Sequence, residues 1–348
     1  MGHVVRSGVL AAAAHARGWR VRVFLAGDRV AEAHWRSSCP EACVSPWSAW
    51  RASASAPLTL FDQPFPKSRW LAACRADRTR AIVLDDPRPT PDARLTIHPG
   101  LHHLPNERSP HDADPDDDPA SPTLTGPRYS ILAPVHRETI HRPLADRDAL
   151  LLSIGGADPH QITPRIAPIL LRALAAHPSA NALRRRIVVL GPAYHDPCGQ
   201  IAADLAAGGW QVERALAPAA MARRMADARL AVMGFGTSLS ELAWHGTPHL
   251  SVTHQPLDSP WAQRLEAHGI GAWLGDARAL DPDFVAARFT RALGDEAWQG
   301  ASAARARAAL EGGRGCERIL DRLALIAREL DAPASRRSGM REARPGLS

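Results

Sequence analysis

Met233-Gly234-Phe235-Gly236-Thr237-Ser238-Leu239-Ser240-Glu241-Leu242 is the stretch on which the fold turns. The apolar residues leading into it read as the end of a buried strand, the two glycines as a tight turn, and Thr237 or Ser238 as the start of a helix. A strand that ends in a glycine turn and enters a helix is the building unit of a parallel sheet covered by helices. To an anion, such a turn offers free N–H groups, a positive dipole end, close approach to glycine backbone, and two hydroxyl donors. Glu241, one turn into the helix, is placed to accept hydrogen bonds from a ribose diol. A plainer reading fits the same residues: a hydroxyl N-cap with an acid in the first turn, stabilising the helix and nothing more.

Outward from this stretch the pattern repeats. Leu151-Leu152-Ser153-Ile154-Gly155-Gly156-Ala157-Asp158-Pro159 is a second strand ending in a glycine turn, and Leu190-Gly191-Pro192 ends a third. Gly155-Gly156 lacks the third glycine of a dinucleotide fingerprint, and no Gly-Lys-Ser/Thr follows any strand, so neither that motif nor a P-loop is present. In the second half the spacing predicts strands at 149–154, 186–190, 210–214, 229–233, 249–253 and 271–274. It predicts helices at 163–176, 217–226, 238–245, 258–268, 282–293, 297–311 and 317–330, with Asp281 capping ahead of Pro282. In the first half, β-rich runs occur at 20–25, 58–61, 81–84 and 95–97, with helical patterns over 8–17 and 68–76. The segment 39–56, with Trp47 and Trp50, reads as irregular. The class is therefore α/β.

Composition narrows the function. The chain has 348 residues, 45% of them hydrophobic and 22% charged, with 42 Lys+Arg against 36 Asp+Glu. That balance is globular, and both signs run along the whole chain, so no block reads as a nucleic-acid arm. Lys67 is the sole lysine. The mild excess of +6, nearly all arginine, suits small acidic ligands. Five cysteines form no disulfide framework and point to a reducing, cytoplasmic compartment. No apolar run approaches the ~20 residues of a membrane helix. Residues 104–126 hold Asp112, Asp114, Asp116, Asp117, Asp118 and many prolines, which predicts a solvated acidic loop. His98, His102 and His103 surround Pro99-Gly100, yet without carboxylates or cysteines at matched spacing they predict no metal. Cys39 and Cys43 lack a second pair, and no Gly-x-Ser-x-Gly elbow supports a serine hydrolase.

Taken in order, Gly2-His3-Val4-Val5-Arg6, Ser153–Pro159, Val188-Val189-Leu190-Gly191, Gly236–Glu241 and Gly246-Thr247-Pro248 resemble the PseG/SpsG family. That family includes the UDP-sugar hydrolase of pseudaminic acid biosynthesis and predicted glycosyltransferases of spore-coat polysaccharide, and is related to MurG-type enzymes. Leu84-Asp85-Asp86 and Gly126–Leu132 match more weakly. The resemblance implies a GT-B fold, two Rossmann-like domains with a cleft between them. It divides the chain into an N-terminal acceptor or catalytic domain (1–127), an interdomain linker (128–148), a nucleotide-sugar domain (149–330) and a frayed tail (331–348). It implies that Gly155, Gly156, Gly236, Thr237, Ser238 and Glu241 hold the diphosphate and ribose. His3 would be the general base, with Gly2 and Arg6 of the same motif beside the substrate. The resemblance implies no metal or other cofactor, and a UDP-linked nucleotide sugar as the partner. Water as acceptor makes a hydrolase, a sugar or lipid hydroxyl makes an inverting glycosyltransferase, and a loose His3 would leave a catalytically inactive binding protein.

The sequence departs from the family pattern in four places. The N-terminal domain lacks its first strand, since the family carries a strand and a glycine-rich loop ahead of Gly-His; a start upstream of Met1 is the expectation. Phe235 separates Gly234 and Gly236, and is expected to narrow the phosphate site or stack on the base. His254-Gln255 stands where the family's Asn-Gln contacts the sugar. Phe61-Asp62-Gln63-Pro64 replaces an Asp-His-Tyr-like strand end.

Overall fold

A six-stranded parallel sheet organises the C-terminal half. In this computed structural model, which describes residues 2–27, 29–51, 58–62, 71–74, 80–85, 93–104, 121–178 and 182–331, its strands are β7 (Ala149–Ser153), β8 (Arg185–Leu190), β9 (Gln211–Arg214), β10 (Ala228–Gly234), β11 (His249–Thr253) and β12 (Ala272–Asp276). Their order is β12-β11-β10-β7-β8-β9. The chain starts in mid-sheet at β7, runs out through β8 to β9, and returns to β10 on the other side. That reversal opens a crevice beyond the carboxyl ends of β7 and β10. Met233 is in register with Ser153, so the two glycine turns leave the sheet side by side. Helices cover both faces, which is why β7 and β11 are buried along their whole length, the first an almost unbroken apolar run and the second alternating Leu250 and Val252 with buried His249, Ser251 and Thr253.

On one face lie α4 (Ile162–Ala175) and α9 (Pro282–Gly294), packing Ile162, Ile166, Leu170, Val285 and Phe289 onto Leu150, Leu152 and Leu250. On the other lie α7 (Ser238–His245), α8 (Ser259–Ala267) and α10 (Glu296–Ala309), burying Leu239, Leu242, Leu265 and Ala306 against Leu151, Ala231 and Met233. Asp281 caps α9 as expected, accepting from the backbone N–H of Asp283 and Phe284. α5 (Gln200–Ala207) escaped the sequence reading, as did the shorter helix 134–138 and, in the N-terminal half, the helix 29–38; the start of α5 is marked by Asp196 accepting from the N–H of Ile201 and Ala202. The remaining elements, α3 (Pro134–Glu138) in the linker and α6 (Pro218–Asp227), complete this half.

The N-terminal half opens on α1 (Gly2–Ala16), and its parallel strands form two separate sheets. β1 (Arg22–Leu25) pairs with β2 (Cys43–Pro46); β3 (Leu58–Phe61), β4 (Arg80–Leu84), β5 (Leu95–His98) and β6 (Thr123–Thr125) make the other. Among the described residues no strand joins β1 to β3. Helix α1 spans the break: Leu10 and Ala14 pack with Ile82, Leu84 and Ile97, while Ala11 packs with Val23 and with Trp35 of α2 (Arg29–Ser38). β2 lies in the segment read as irregular, because it is short and half exposed. β6, only Thr-Leu-Thr, lies at the end of the segment read as loop.

The last helix revises the domain boundary at 330. α11 (Gly315–Asp331) leaves the C-terminal half and packs Ile319, Leu320, Leu323 and Ile326 into the core formed by Leu10, Ile82, Leu95 and Leu124. That i, i+1, i+4, i+7 spacing is a single apolar stripe, and each such side chain contributes roughly 1.5–3 kcal/mol on burial. Arg17 pairs with Asp321 at 2.7 Å, and Arg318 donates to the Arg128 carbonyl at 2.9 Å. Residues 71–74 are helical; the rest of the 68–76 prediction, the acidic run 112–118 and the tail beyond 331 lie outside the described residues. No described helix is long and apolar enough to cross a membrane, and all five cysteines are free.

Candidate functional site

Three strand ends meet at the crevice, and each carries a glycine for a steric reason. A methyl on Gly191 would fall on the carbonyl oxygens of Gly155 and Gly156, and one on Gly234 would lie 3.0 Å from the Ile154 carbonyl. Gly155 has a φ of +86°, a left-handed conformation that suits glycine. The turns after β8, β7 and β10 thus pack backbone on backbone, and the floor of the crevice is main chain. α7 begins at its edge. Thr237 makes no side-chain capping bond, so the plainer reading of this motif as a hydroxyl N-cap does not hold. The helix thus begins with N–H groups and the hydroxyls of Thr237 and Ser238 that are not used in capping it, the kind of end that can take an anion.

Opposite stands the N-terminus of α1. A methyl on Gly2 would be 3.5 Å from Thr237 Oγ1, so two helix N-termini from different halves share one place. The next residues of α1 form a tight ionic network with the carboxyl ends of β3 and β4. His3 Nδ1 is 2.6 Å from Asp62 Oδ1. Arg6 donates to Asp62 through Nε (3.0 Å) and Nη2 (2.6 Å) and to Asp85 through Nη1 (2.5 Å). Ser7 donates to Asp62 Oδ2 at 2.6 Å. His103 Nε2 completes the chain, 3.1 Å from Asp85 Oδ1.

The proton on His3 can be assigned from this geometry. An unprotonated Nδ1 would set its lone pair against a carboxylate oxygen at 2.6 Å and would accept from Arg6 Nη2 at 2.8 Å. With the proton on Nδ1, the shorter contact becomes a charge-assisted hydrogen bond, and Nε2 keeps the free lone pair. The His3 side chain is 42% exposed, whereas Asp62 is 5% exposed. Burial pulls the Asp62 carboxyl up, but hydrogen bonds from His3 and Arg6 and their charges outweigh it and hold Asp62 below the usual carboxylate range. Asp85 is held low in the same way by His103 and Arg6. Two carboxylates against one guanidinium leave the cluster one negative charge when its histidines are neutral.

The loop 99–104 joins this network to the C-terminal half. Leu101 enters the core around Met233 and Leu239. His102 stacks near Phe235, 5.3 Å between centroids, and Trp261 stands edge-on to His103 at 5.1 Å. Burial, helped by the neighbouring His103, pushes His102 down to about 3, so its imidazole is neutral. Phe235 thus packs against His102 of this loop and into the core around Met233 and Leu239.

The other expected residues fall in varied places. Arg6, expected beside the substrate, is buried with three nitrogens on two carboxylates; the structure gives it the task of holding Asp62 and Asp85. Glu241 lies one turn into α7 but 3.5 Å from His136 Nε2, and His136 Nδ1 in turn lies 3.0 Å from His245 Nε2, which ties the helix to α3 of the linker. His254 tucks under the glycine turn, where a methyl on Gly234 would be 2.6 Å from its Nε2, and burial lowers its pKa. Gln255 is exposed at the same strand end. Asp62, Ser7 and Asp85 were not singled out as site residues by the sequence. Their signal was position: each aspartate directly follows an apolar strand, at the edge of a parallel sheet where ligands bind. A hollow of about 320 Å³ lined by Arg22, Phe24, Cys43 and Ser45 lies on the β1–β2 face and includes none of these groups.

No family model and no curated protein matches the sequence. Solved structures do match in fold. The calicheamicin glycosyltransferase CalG4 aligns with a TM-score of 0.59 at 17% identity, covering 95% of this chain and 96% of its own. MurG of Acinetobacter baumannii gives 0.56 at 14%, covering 88% and 92%. HepE of Anabaena, in complex with UDP, gives 0.54 at 14%, covering 93% and 96%. At such identities the likeness speaks for the fold alone: the chain has the GT-B fold, two Rossmann-like halves facing one crevice.

Proposed function

We propose that this protein is an enzyme that acts on a UDP-linked nucleotide sugar, breaks the anomeric C–O bond and releases the nucleoside diphosphate. The observation that carries the reading is His3, oriented by Asp62 at 2.6 Å and set at a helix N-terminus facing Thr237 and the start of α7. The glycine floor and the two helix ends would hold the diphosphate by backbone N–H groups, and Gly236, Thr237 and Ser238 would contact it directly. His254 and Gln255 would stand at the sugar's edge of the crevice. Glu241 would reach the ribose from its tether on His136.

In the reaction, His3 Nε2 takes a proton from the attacking hydroxyl as its oxygen bonds to the anomeric carbon. The bond from that carbon to the β-phosphate oxygen breaks, and the diphosphate leaves with the electron pair. Attack from the face opposite the leaving group inverts the centre. Asp62 remains ionised and stabilises the imidazolium that forms. Helix-end N–H groups stabilise charge growing on the leaving oxygen. The resemblance to the PseG/SpsG family favours water as acceptor, hence a hydrolase of surface-glycan or nonulosonic acid biosynthesis. The glycosyltransferases of like fold favour a sugar or lipid hydroxyl.

Incubating the full-length protein with a panel of UDP-sugars, with and without acceptors, separates these. Free UDP without acceptor identifies the hydrolase, and UDP only with acceptor the transferase. Binding without release would leave an inactive binding protein, and failure to bind UDP would sink the reading. His3→Gln is expected to lower UDP release by about 10²–10⁴-fold with UDP affinity unchanged.

A further inference from the structure

The loop 99–104 carries histidines that the proposed reaction does not use, and the fold brings them a carboxylate that the sequence spacing hid. Asp85 ends β4 with a φ of +54°, a left-handed backbone uncommon outside glycine, and its amide donates to the Ile97 carbonyl at 2.7 Å. A strained residue of this kind persists where its surroundings fix it, often at functional sites. Facing it, a turn closed by the His103 N–H on the Gly100 carbonyl presents His102 and His103 together, their ring centroids 4.1 Å apart. A methyl on Gly100 would fall on the His102 ring, so the glycine makes room for the ring in this position. One ligating atom from each of Asp85, His102 and His103 lies within 4.8 Å of the other two.

From this geometry we infer that Asp85, His102 and His103 form a binding site for a divalent first-row transition cation such as Zn²⁺. A cation with legs of about 2.0–2.2 Å sets two of its ligands roughly 3.0–3.5 Å apart. The 3.1 Å between Asp85 Oδ1 and His103 Nε2 already matches, and the His102 ligating atom, within 4.8 Å of both, would need to move closer by about an ångström to complete the set. The second oxygen of Asp85 accepts from Arg6 at 2.5 Å, which orients the ligating carboxylate as outer-shell partners do. Asp62 offsets the charge of Arg6 within the same network, so the cation meets a net negative cluster. Two imidazoles and one carboxylate suit zinc, cobalt or iron better than magnesium or calcium. Three protein donors leave a coordination position for water or an anionic ligand oxygen. Phe235, in contact with His102, joins the site to the Gly236 turn.

Cation binding is read on the free protein, apart from any turnover. Full-length protein stripped with chelator and dialysed is titrated with ZnCl₂ by calorimetry, and with CoCl₂ by visible absorption. One Zn²⁺ per chain and a Co²⁺ d–d band of nitrogen and oxygen ligation are expected. The double variant His102→Ala/His103→Ala should weaken binding by about 10²-fold or more and erase the band, and Asp85→Asn should weaken it by about 10-fold or more, with the far-UV dichroism of both unchanged. Exchanging Asp112, Asp114, Asp116, Asp117 and Asp118 for serine should leave binding intact. The proposal is overturned by absence of stoichiometric binding, by binding that survives the double histidine variant, or by binding lost only with the aspartate run.

Discussion

The two halves of the molecule hold their parts of the crevice by different physics. The C-terminal half grips with main chain: its sheet is continuous, and the surfaces facing the crevice are glycine turns and a helix end whose positions follow from strand register. The N-terminal half contributes side chains. Its described strands are divided between two sheets, and the polar groups of α1 and of the ends of β3 and β4 are placed by ion pairs among His3, Arg6, Asp62 and Asp85. Where a sheet does not fix the relative position of helix and strand ends, a buried guanidinium shared by two carboxylates can. Stability and site geometry should therefore be inseparable in the N-terminal half and separable in the C-terminal one.

The largest test of that contrast is Arg6→Leu. The guanidinium and Asp62 are 7% and 5% exposed, so the substitution leaves two carboxylates close together and largely uncompensated. A loss of about 3–5 kcal/mol is expected, read from urea unfolding. Arg224, paired with Glu213 at 2.6 Å in the C-terminal half, is a control of the same chemistry in a more exposed setting. Arg224→Ala should cost no more than about 1 kcal/mol. Equal losses would show that Arg6 has no organising role.

Gly191→Ala probes the opposite half. Its new methyl meets backbone of the 155–156 turn, which no side-chain rotation relieves. The cost should be about 1–3 kcal/mol, and the displaced turn should weaken UDP binding. Zn²⁺ affinity, which depends on the other half, should not change. Unaltered UDP affinity would remove the glycine floor from the site.

How much of this was legible in the sequence follows the same division. In the C-terminal half every predicted strand formed, because strands buried on both faces leave apolar runs bounded by glycine turns, as at 149–156 and 228–236. The short α3 of the linker and α5 were overlooked, the eight residues of α5 lying between Asp196 and a double glycine. In the N-terminal half β2 and β6 are too short and too polar to leave such a signal. The motif singled out His3 and Arg6, but not the carboxylates they meet: Asp62 lies 59 residues from His3 and Asp85 lies 79 residues from Arg6, and their convergence depends on α1 crossing two sheets. Asp85 also shows why the histidines of the 99–104 loop looked unsupported, since the carboxylate that completes their set comes from a neighbouring strand. The return of α11 to the N-terminal core was likewise hidden, because an apolar stripe at 319–326 does not say which surface it covers.

The smallest effect per step is a dependence of stability on pH. Burial pushes His245 down to about 3 and His249 to about 4 in the C-terminal half, and His102 to about 3 in the loop between the halves. An unfolded histidine titrates near ~6.5. Between these values the unfolded chain binds protons that the folded chain refuses, so stability falls as pH is lowered from about 6.5 toward 4. Each histidine contributes a slope of up to about 1.4 kcal/mol per pH unit. Asp62 and Asp85, held below the ordinary carboxylate range, act the same way but only below their unfolded value near ~3.9. The window above pH 4 thus reports mainly on the histidines, His141 and His254 included, since burial lowers these as well. His249→Gln, which removes a fully buried imidazole, should flatten the slope by close to one proton in urea titrations at stepped pH, whatever it does to stability at pH 7. An unchanged slope would mean that His249 accepts its proton in place, and that the half held by main chain is less tightly closed around its strands than the register of β10 and β11 implies.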